Sequence, residues 1–253
     1  LICSDDGSTD GSISTLEKFE RKWPEQVTLR TGPNTGFSDN YMSLIRDLPE
    51  APGYVCFADQ DDIWLPEKIT RALRGLPESD AAPALYCGRR TYWCPDRGIQ
   101  STSEQMTRPF ALRNALIENV APGNTIMLNP NAARLARLAA RRTGHVFAHD
   151  WWLYLILTAT GGHVHFDNDT PSILYRQHAQ NEIGSGKGIM PQIQRKFGVL
   201  QGFFAARIDG NLAALEAIED MLTPQARHTC RNFAQARKKL RIARLAALHR
   251  VAL

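Results

Sequence analysis

Phe57-Ala58-Asp59-Gln60-Asp61-Asp62-Ile63-Trp64-Leu65-Pro66 sets three carboxylates within four residues, directly after the apolar, strand-like run Tyr54 to Ala58. Like charges this close repel one another, and a cation relieves the repulsion. Hard divalent ions such as Mg²⁺ or Mn²⁺ take carboxylate oxygens and share them with a substrate's phosphates, so an acidic strand end suits a nucleoside diphosphate. The same residues also read as an acidic turn, because Asp62 can cap a helix that opens near Pro66.

Upstream lies a second acidic strand end, where Leu1-Ile2-Cys3-Ser4 runs into Asp5-Asp6-Gly7-Ser8-Thr9-Asp10-Gly11-Ser12. Between the two clusters, Ile13, Leu16, Phe19 and Trp23 recur at helical spacing, with Asp10 as a cap and Pro24 beyond the end. Val27 to Leu29 reads as a short strand. A helix from Gly36 to Leu48 follows, with Phe37, Tyr41, Leu44, Ile45 and Leu48 on one face. Such alternation predicts a parallel sheet with helices on its faces, whose ligands bind beyond the strands' carboxyl ends. Residues 6–17 also satisfy most of a calcium-loop pattern, but a strand-like run stands where that motif needs an entering helix.

Downstream the pattern predicts a helix over 66–76, a strand over 84–87, a polar loop over 97–108 and a strand over 125–128. Pro130 to Arg142 is rich in Ala, Leu and Arg and ends before Gly144, a helix with its stop signal. His149 to Thr160 reads as an apolar helix with Asp150 in its first turn. Residues 164–166 and 172–175 read as a late strand pair.

Taken in order, five motifs resemble the family 2 glycosyltransferases of the GT-A fold, and within them the bacterial rhamnosyltransferase-like members. They are the Ser4-to-Gly11 strand end, Asn34-Thr35-Gly36 followed by Asn40, the block Ala58 to Trp64 with Pro66-Glu67-Lys68, His149-Asp150-Trp151-Trp152, and Tyr175-Arg176-Gln177-His178. The resemblance spans roughly residues 1 to 185. It implies a three-layer α/β domain with a mostly parallel central sheet over 1–190 and a basic helical extension over 191–253. In that family a strand and a helix precede the first motif, so the chain, which starts without Met, is read as N-terminally incomplete.

The resemblance also distributes roles. Asp61 is expected to be the primary ligand of Mn²⁺ or Mg²⁺, with Asp59 near the donor's ribose or the metal and Asp62 structural. Asp5, Asp6 and Asn40 fall to the donor nucleotide, since carboxylates accept hydrogen bonds from a base N–H or ribose hydroxyls. Asp150 is the expected base that takes the acceptor hydroxyl's proton for inversion. His178 is placed near the metal. Asn124, Trp151, Trp152, Arg176 and Lys187 are placed around the acceptor or the diphosphate. The Trp rings serve equally as a wall for a sugar face or as core. The implied donor is a dTDP- or UDP-sugar and the implied acceptor a glycan or lipid-linked glycan in cell-surface polysaccharide synthesis.

Composition sets the remaining bounds. At 253 residues the chain can bury a large core, and its five cysteines show neither Cys-x-x-Cys spacing nor an even count. A cytoplasmic setting is expected, with the inner membrane face as an alternative. Arg227, Arg231, Arg237, Lys238, Lys239, Arg241, Arg244 and Arg250 follow Asp220 with no acidic residue among them. A basic amphipathic helix of this kind lies on an anionic membrane surface or packs on its own domain with a solvated basic face. A net charge of +4 and the lack of a nucleic-acid motif argue against nucleic acid. The competing reading is an inactive nucleotide-binding fragment or a membrane-surface interaction module.

Overall fold

The computed structural model describes residues 1–77, 82–177 and 203–238. Strand β1 (Ile2–Asp5) is followed by helix α1 (Ser12–Lys22), β2 (Thr28–Thr31), α2 (Phe37–Arg46) and β3 (Val55–Cys56). The expected alternation therefore holds through the acidic block. Asp10 accepts the Ser12 N–H at 2.9 Å just ahead of α1, which Trp23 closes by donating its N–H to Phe19. β1 and β2 pair in parallel, Ile2 opposite Thr28 through Asp5 opposite Thr31.

Beyond the acidic block come β4 (Ile63–Trp64), α3 (Lys68–Gly75), β5 (Ala84–Gly88), β6 (Thr91–Cys94) and β7 (Ile99–Thr102). Then follow α4 (Leu112–Ala115), β8 (Met127–Leu128), α5 (Pro130–Ala140), α6 (His149–Ala159), β9 (His163–Asp167) and β10 (Ile173–Arg176). One sheet has the order β3-β8-β5-β9, and β8 runs antiparallel to both neighbours, so β3, β5 and β9 share one direction. A second sheet, β4-β10-β6-β7, lies after the acidic block.

Two local expectations change. Part of the stretch read as a polar loop over 97–108 is strand β7, paired antiparallel with β6 across a turn at Pro95–Arg97. The late strand pair is no pair. β9 hydrogen-bonds to β5, whereas β10 joins β4 and β6 in the other sheet.

α6 is the axis of the core. All its residues except Asp150 and Thr158 are buried, and Trp152, Leu153, Tyr154, Leu155, Ile156 and Leu157 are fully so. Each such side chain contributes roughly 1.5–3 kcal/mol on burial, so Asp150 is mounted on an element firmly held in place. α5 caps on Asn129, whose Oδ1 accepts from Ala132 N–H at 2.9 Å and also from Ala84 N–H, tying α5 to β5.

Helices α7 (Phe203–Glu216) and α8 (Pro224–Lys238) contribute Ile208, Leu215, Ala226 and Phe233 to the same core, and the turn between them adds Ile218 and Leu222. Their charges are engaged within the chain: Arg231 meets Glu219 at 2.5 Å, Arg237 meets Asp209 at 2.6 Å, and Asp220 takes both guanidinium nitrogens of Arg142. Over 224–238 the basic helix is thus one that packs on its own domain. Lys239 to Arg250 lie outside the described residues. No helix among the described residues is long and apolar enough to cross a membrane.

Candidate active site

β3 delivers the chain to Phe57, and β4 takes it up again at Ile63, so Ala58 to Asp62 form a short loop fixed at both ends. The Tyr41 hydroxyl, from α2, lies 2.8 Å from Ala58 O and 3.0 Å from Asp59 Oδ1 and shares its one proton between them. Burial pushes the Asp59 carboxyl up. The Tyr41 hydrogen bond opposes this, the charges of Asp61 and Asp150 add to it, and Arg90 opposes it. Asp62 is pushed up to about 6, chiefly by burial, against hydrogen bonds from Asn124 Nδ2 and the Arg176 N–H. Arg176 also donates from Nε to Asp61 O at 3.1 Å while its guanidinium stacks on Trp93. Asp61 and Arg176, both expected at the site, are thereby brought together with Asp62, the residue expected to be structural.

The other strand end is built by its own backbone. Asp5 Oδ2 accepts from the Gly7 and Ser8 N–H groups at 3.0 and 2.9 Å, and hydrogen bonds from Ser8 hold this carboxyl below its usual range. Asp6 takes the N–H groups of Asn34 and Gly36, both at 2.7 Å, which joins the β1 turn to the turn before α2. Gly7 has φ +97°, and a Cβ there would lie 2.4 Å from Asn34 Oδ1, so only glycine fits. Asn40 Nδ2 donates to Ser4 O at 3.1 Å and its Oδ1 accepts from Ser4 Oγ. Asp5, Asp6 and Asn40 are thus all tied by hydrogen bonds into β1 and the turns beside it.

Asp150 stands in the first turn of α6, where a carboxylate is favoured by the helix dipole. Its Oδ2 accepts from Gly123 N–H at 3.1 Å and its Oδ1 from Trp151 N–H at 2.7 Å. Of the two readings of the Trp pair, the structure has the core one. Trp152 is fully buried, and Trp151 is 5% exposed with its indole N–H donated to Ala115 O.

Three further side chains carry weight that the sequence reading did not assign. His149 stacks on Tyr41 with ring centroids 3.9 Å apart and lies 5.4 Å from Phe57; burial lowers its pKa to about 4, so it is neutral. Tyr41, read as part of an apolar helix face, links that histidine to Asp59. Arg90 sits over the rings of Tyr175 at 4.7 Å and Tyr92 at 5.2 Å, within electrostatic range of Asp59. No spacing rule marks Arg90, because strands β6 and β10 that supply the rings are neighbours only in the folded sheet.

Among the described residues no three His, Cys, Asp or Glu side chains converge as a cluster able to hold an ion. Asp59 is bonded to Tyr41, and Asp62 to Asn124 and Arg176. Yet burial, with neighbouring carboxylates adding to it, raises both the Asp59 and Asp62 carboxyls, and a divalent ion sharing its remaining shell with phosphate oxygens would favour their ionised form. The residues fit a metal bound together with a diphosphate. His178 and Lys187 lie outside the described residues.

The family model described as Glycosyl transferase family 2 matches residues 1–139, which carry both acidic strand ends. The chain is a family 2 glycosyltransferase. Its α/β architecture is that of the GT-A fold. The glycosyltransferase is 26% identical over 214 residues to the dTDP-rhamnosyl transferase RfbG of Shigella flexneri, a match that covers 77% of this chain and 68% of the relative. Among solved structures it is similar to S. aureus TarS 1–349 in complex with UDP-GlcNAc, with 12% identity, a TM-score of 0.49, and coverage of 99% of this chain and 80% of that one.

Proposed function

We propose that this glycosyltransferase moves one sugar, with inversion, from a nucleoside diphosphate to a hydroxyl of a glycan or lipid-linked acceptor in cell-surface polysaccharide synthesis. The reading is supported above all by one juxtaposition: the charges of Asp61 and Asp150, 89 positions apart in sequence, both raise the carboxyl of Asp59. The loop expected to hold the donor and the carboxylate expected to act on the acceptor thus both lie within electrostatic range of one side chain.

Asp150 takes the acceptor hydroxyl's proton on the face opposite the leaving group. The bonds from Gly123 and Trp151 hold its carboxylate in place. Asp61 would hold Mn²⁺ or Mg²⁺, which when bound neutralises the charge that develops on the departing diphosphate. Asp59, with Tyr41, lines the ribose or metal side, and Asp5, Asp6 and Asn40 form the wall for the base. The donor is a dTDP- or UDP-sugar, with dTDP-rhamnose favoured by the similarity to the Shigella flexneri enzyme. The reaction belongs on the cytoplasmic side, consistent with five free thiols, and the basic residues after 238 are the part proposed to approach an anionic membrane surface.

Thermal denaturation with dTDP, UDP and GDP, each with and without Mn²⁺, tests the donor site, since a ligand that binds only the native state raises the midpoint. A cation-dependent rise with dTDP or UDP is expected. No rise with any of the three would overturn the reading.

A further inference from the structure

Asn124 is only 3% exposed in the turn Gly123–Thr125, and its two polar atoms are used unequally. Nδ2 donates to Asp62 Oδ2, while the buried Oδ1 has no hydrogen-bond partner among the described residues. An ionised carboxylate only accepts, so the amide is fixed in this orientation; a flip would set Oδ1 against Asp62. One residue earlier, the Gly123 N–H donates to Asp150 Oδ2 at 3.1 Å. On its far side Asp62 Oδ1 accepts from the Arg176 N–H at 3.0 Å. A single turn therefore touches the acidic loop with one residue and Asp150 with the residue before it.

The neighbouring ring leaves that turn little freedom. A Cβ on Gly123 would lie 3.0 Å from His149 Nε2 and 3.2 Å from Asp150 Cβ, so the backbone here is pressed against the start of α6. An amide meant for an acceptor sugar would present a polar atom to the pocket. This one is enclosed and spends its donor on Asp62.

We infer that Asn124 is a positioning residue: its bond to Asp62 holds the 123–124 backbone, and through the Gly123 N–H the carboxylate of Asp150, at a set distance from the acidic loop. Its kinetic consequence rests on the proposed roles of Asp150 and the acidic loop; its structural one does not. A hydrogen bond to a charged group shifts a local equilibrium by roughly 10- to 100-fold.

Two measurements test it. In ligand-free protein, Asn124→Ala is expected to speed amide hydrogen exchange at Gly123 and Trp151 by roughly 10-fold or more, with α5 amides unchanged. Unchanged exchange at Gly123 overturns the inference, whatever reaction the protein catalyses. In transfer assays, Asn124→Asp sets two carboxylates face to face and is expected to lower kcat by about 100-fold while donor KM changes less than about 3-fold. The exchanged pair, Asp62→Asn with Asn124→Asp, keeps a bond between the two side chains and an acceptor for the Arg176 N–H. It is expected to recover kcat to within about 10-fold of the parent. A folded double variant as slow as Asn124→Asp alone overturns the inference. Should Asn124→Ala fail to fold, the exchanged pair still decides, because it retains the bridge. Should the parent transfer no sugar, the proposed function fails and the exchange measurement still judges the bridge.

Discussion

The ring of Tyr41 lies stacked on that of His149 at 3.9 Å and 25°, and its hydroxyl is shared between Ala58 O and Asp59 Oδ1. One side chain from α2 thus joins the acidic loop to the residue that precedes Asp150, parallel to the Asn124 bridge. Phenylalanine at 41 would preserve the stacking and remove only the donor. Tyr41→Phe is expected to cost about 1–3 kcal/mol in urea unfolding, because a buried carboxylate loses a hydrogen bond. A loss below about 0.5 kcal/mol would show that the hydroxyl does not hold the loop.

Asp61 and Asp150 should separate by phenotype. Asp61→Ala is expected to abolish both transfer and the cation-dependent part of nucleotide binding, since it removes the proposed metal ligand. Asp150→Asn is expected to keep nucleotide affinity within about 3-fold and to lose at least roughly 100-fold in transfer, as a missing base does. Calorimetric titration of the nucleotide beside a transfer assay distinguishes them. Parallel losses of both properties in Asp150→Asn would assign Asp150 to the scaffold.

His149 makes stability depend on pH. It titrates near 6.5 in the unfolded chain and near 4 in the fold, where burial disfavours the charged ring. Between those values the unfolded state binds the additional proton, so this contribution is complete above pH 6.5 and is lost as pH falls toward 4. Asp62, raised from 3.8 to about 6, acts with the opposite sign, losing stability as pH rises through that interval. Comparison with His149→Gln cancels the Asp62 effect, which both proteins share. The parent's advantage over the variant is expected to shrink by at most roughly 3 kcal/mol from pH 6.5 to 4. An advantage that is flat with pH would mean the ring is not held neutral.

Gly7 and Gly11 offer a contrast within one loop. At Gly7 a methyl group meets both a positive φ of +97° and the Asn34 amide, whereas at Gly11 nothing lies within 4 Å. Gly7→Ala is expected to lower stability by about 1–3 kcal/mol and Gly11→Ala to change it by less than about 0.5 kcal/mol. Equal effects in thermal unfolding would refute the strained turn.

Much of the site's parts list is legible in one dimension. Acidic residues after β-rich runs, and Asp150 at the start of an apolar run ended by Gly161-Gly162, are local patterns, and they place those carboxylates at strand ends and in a first helical turn. The helices from Ser12, Phe37, Pro130 and His149 follow from spacing within about three turns. β4, β6 and β7 escape that reading. A two-residue strand such as Ile63–Trp64 has no period of its own, and it exists because Ile173 and Leu174 of β10 hydrogen-bond to it from more than a hundred residues away.

What the sequence by itself determined is which carboxylates stand at strand ends and which one opens a buried helix, since residue type and local period carry that information. What only the tertiary structure decided is which groups meet. Tyr41 reaching Asp59, Asn124 reaching Asp62, Arg90 lodged beside Tyr92 and Tyr175, and Gly123 steadying Asp150 are all contacts between segments distant in sequence or supplied by different elements. Hydrogen bonds and ring contacts act over only a few ångströms, so their partners are chosen by the fold and not by distance along the chain.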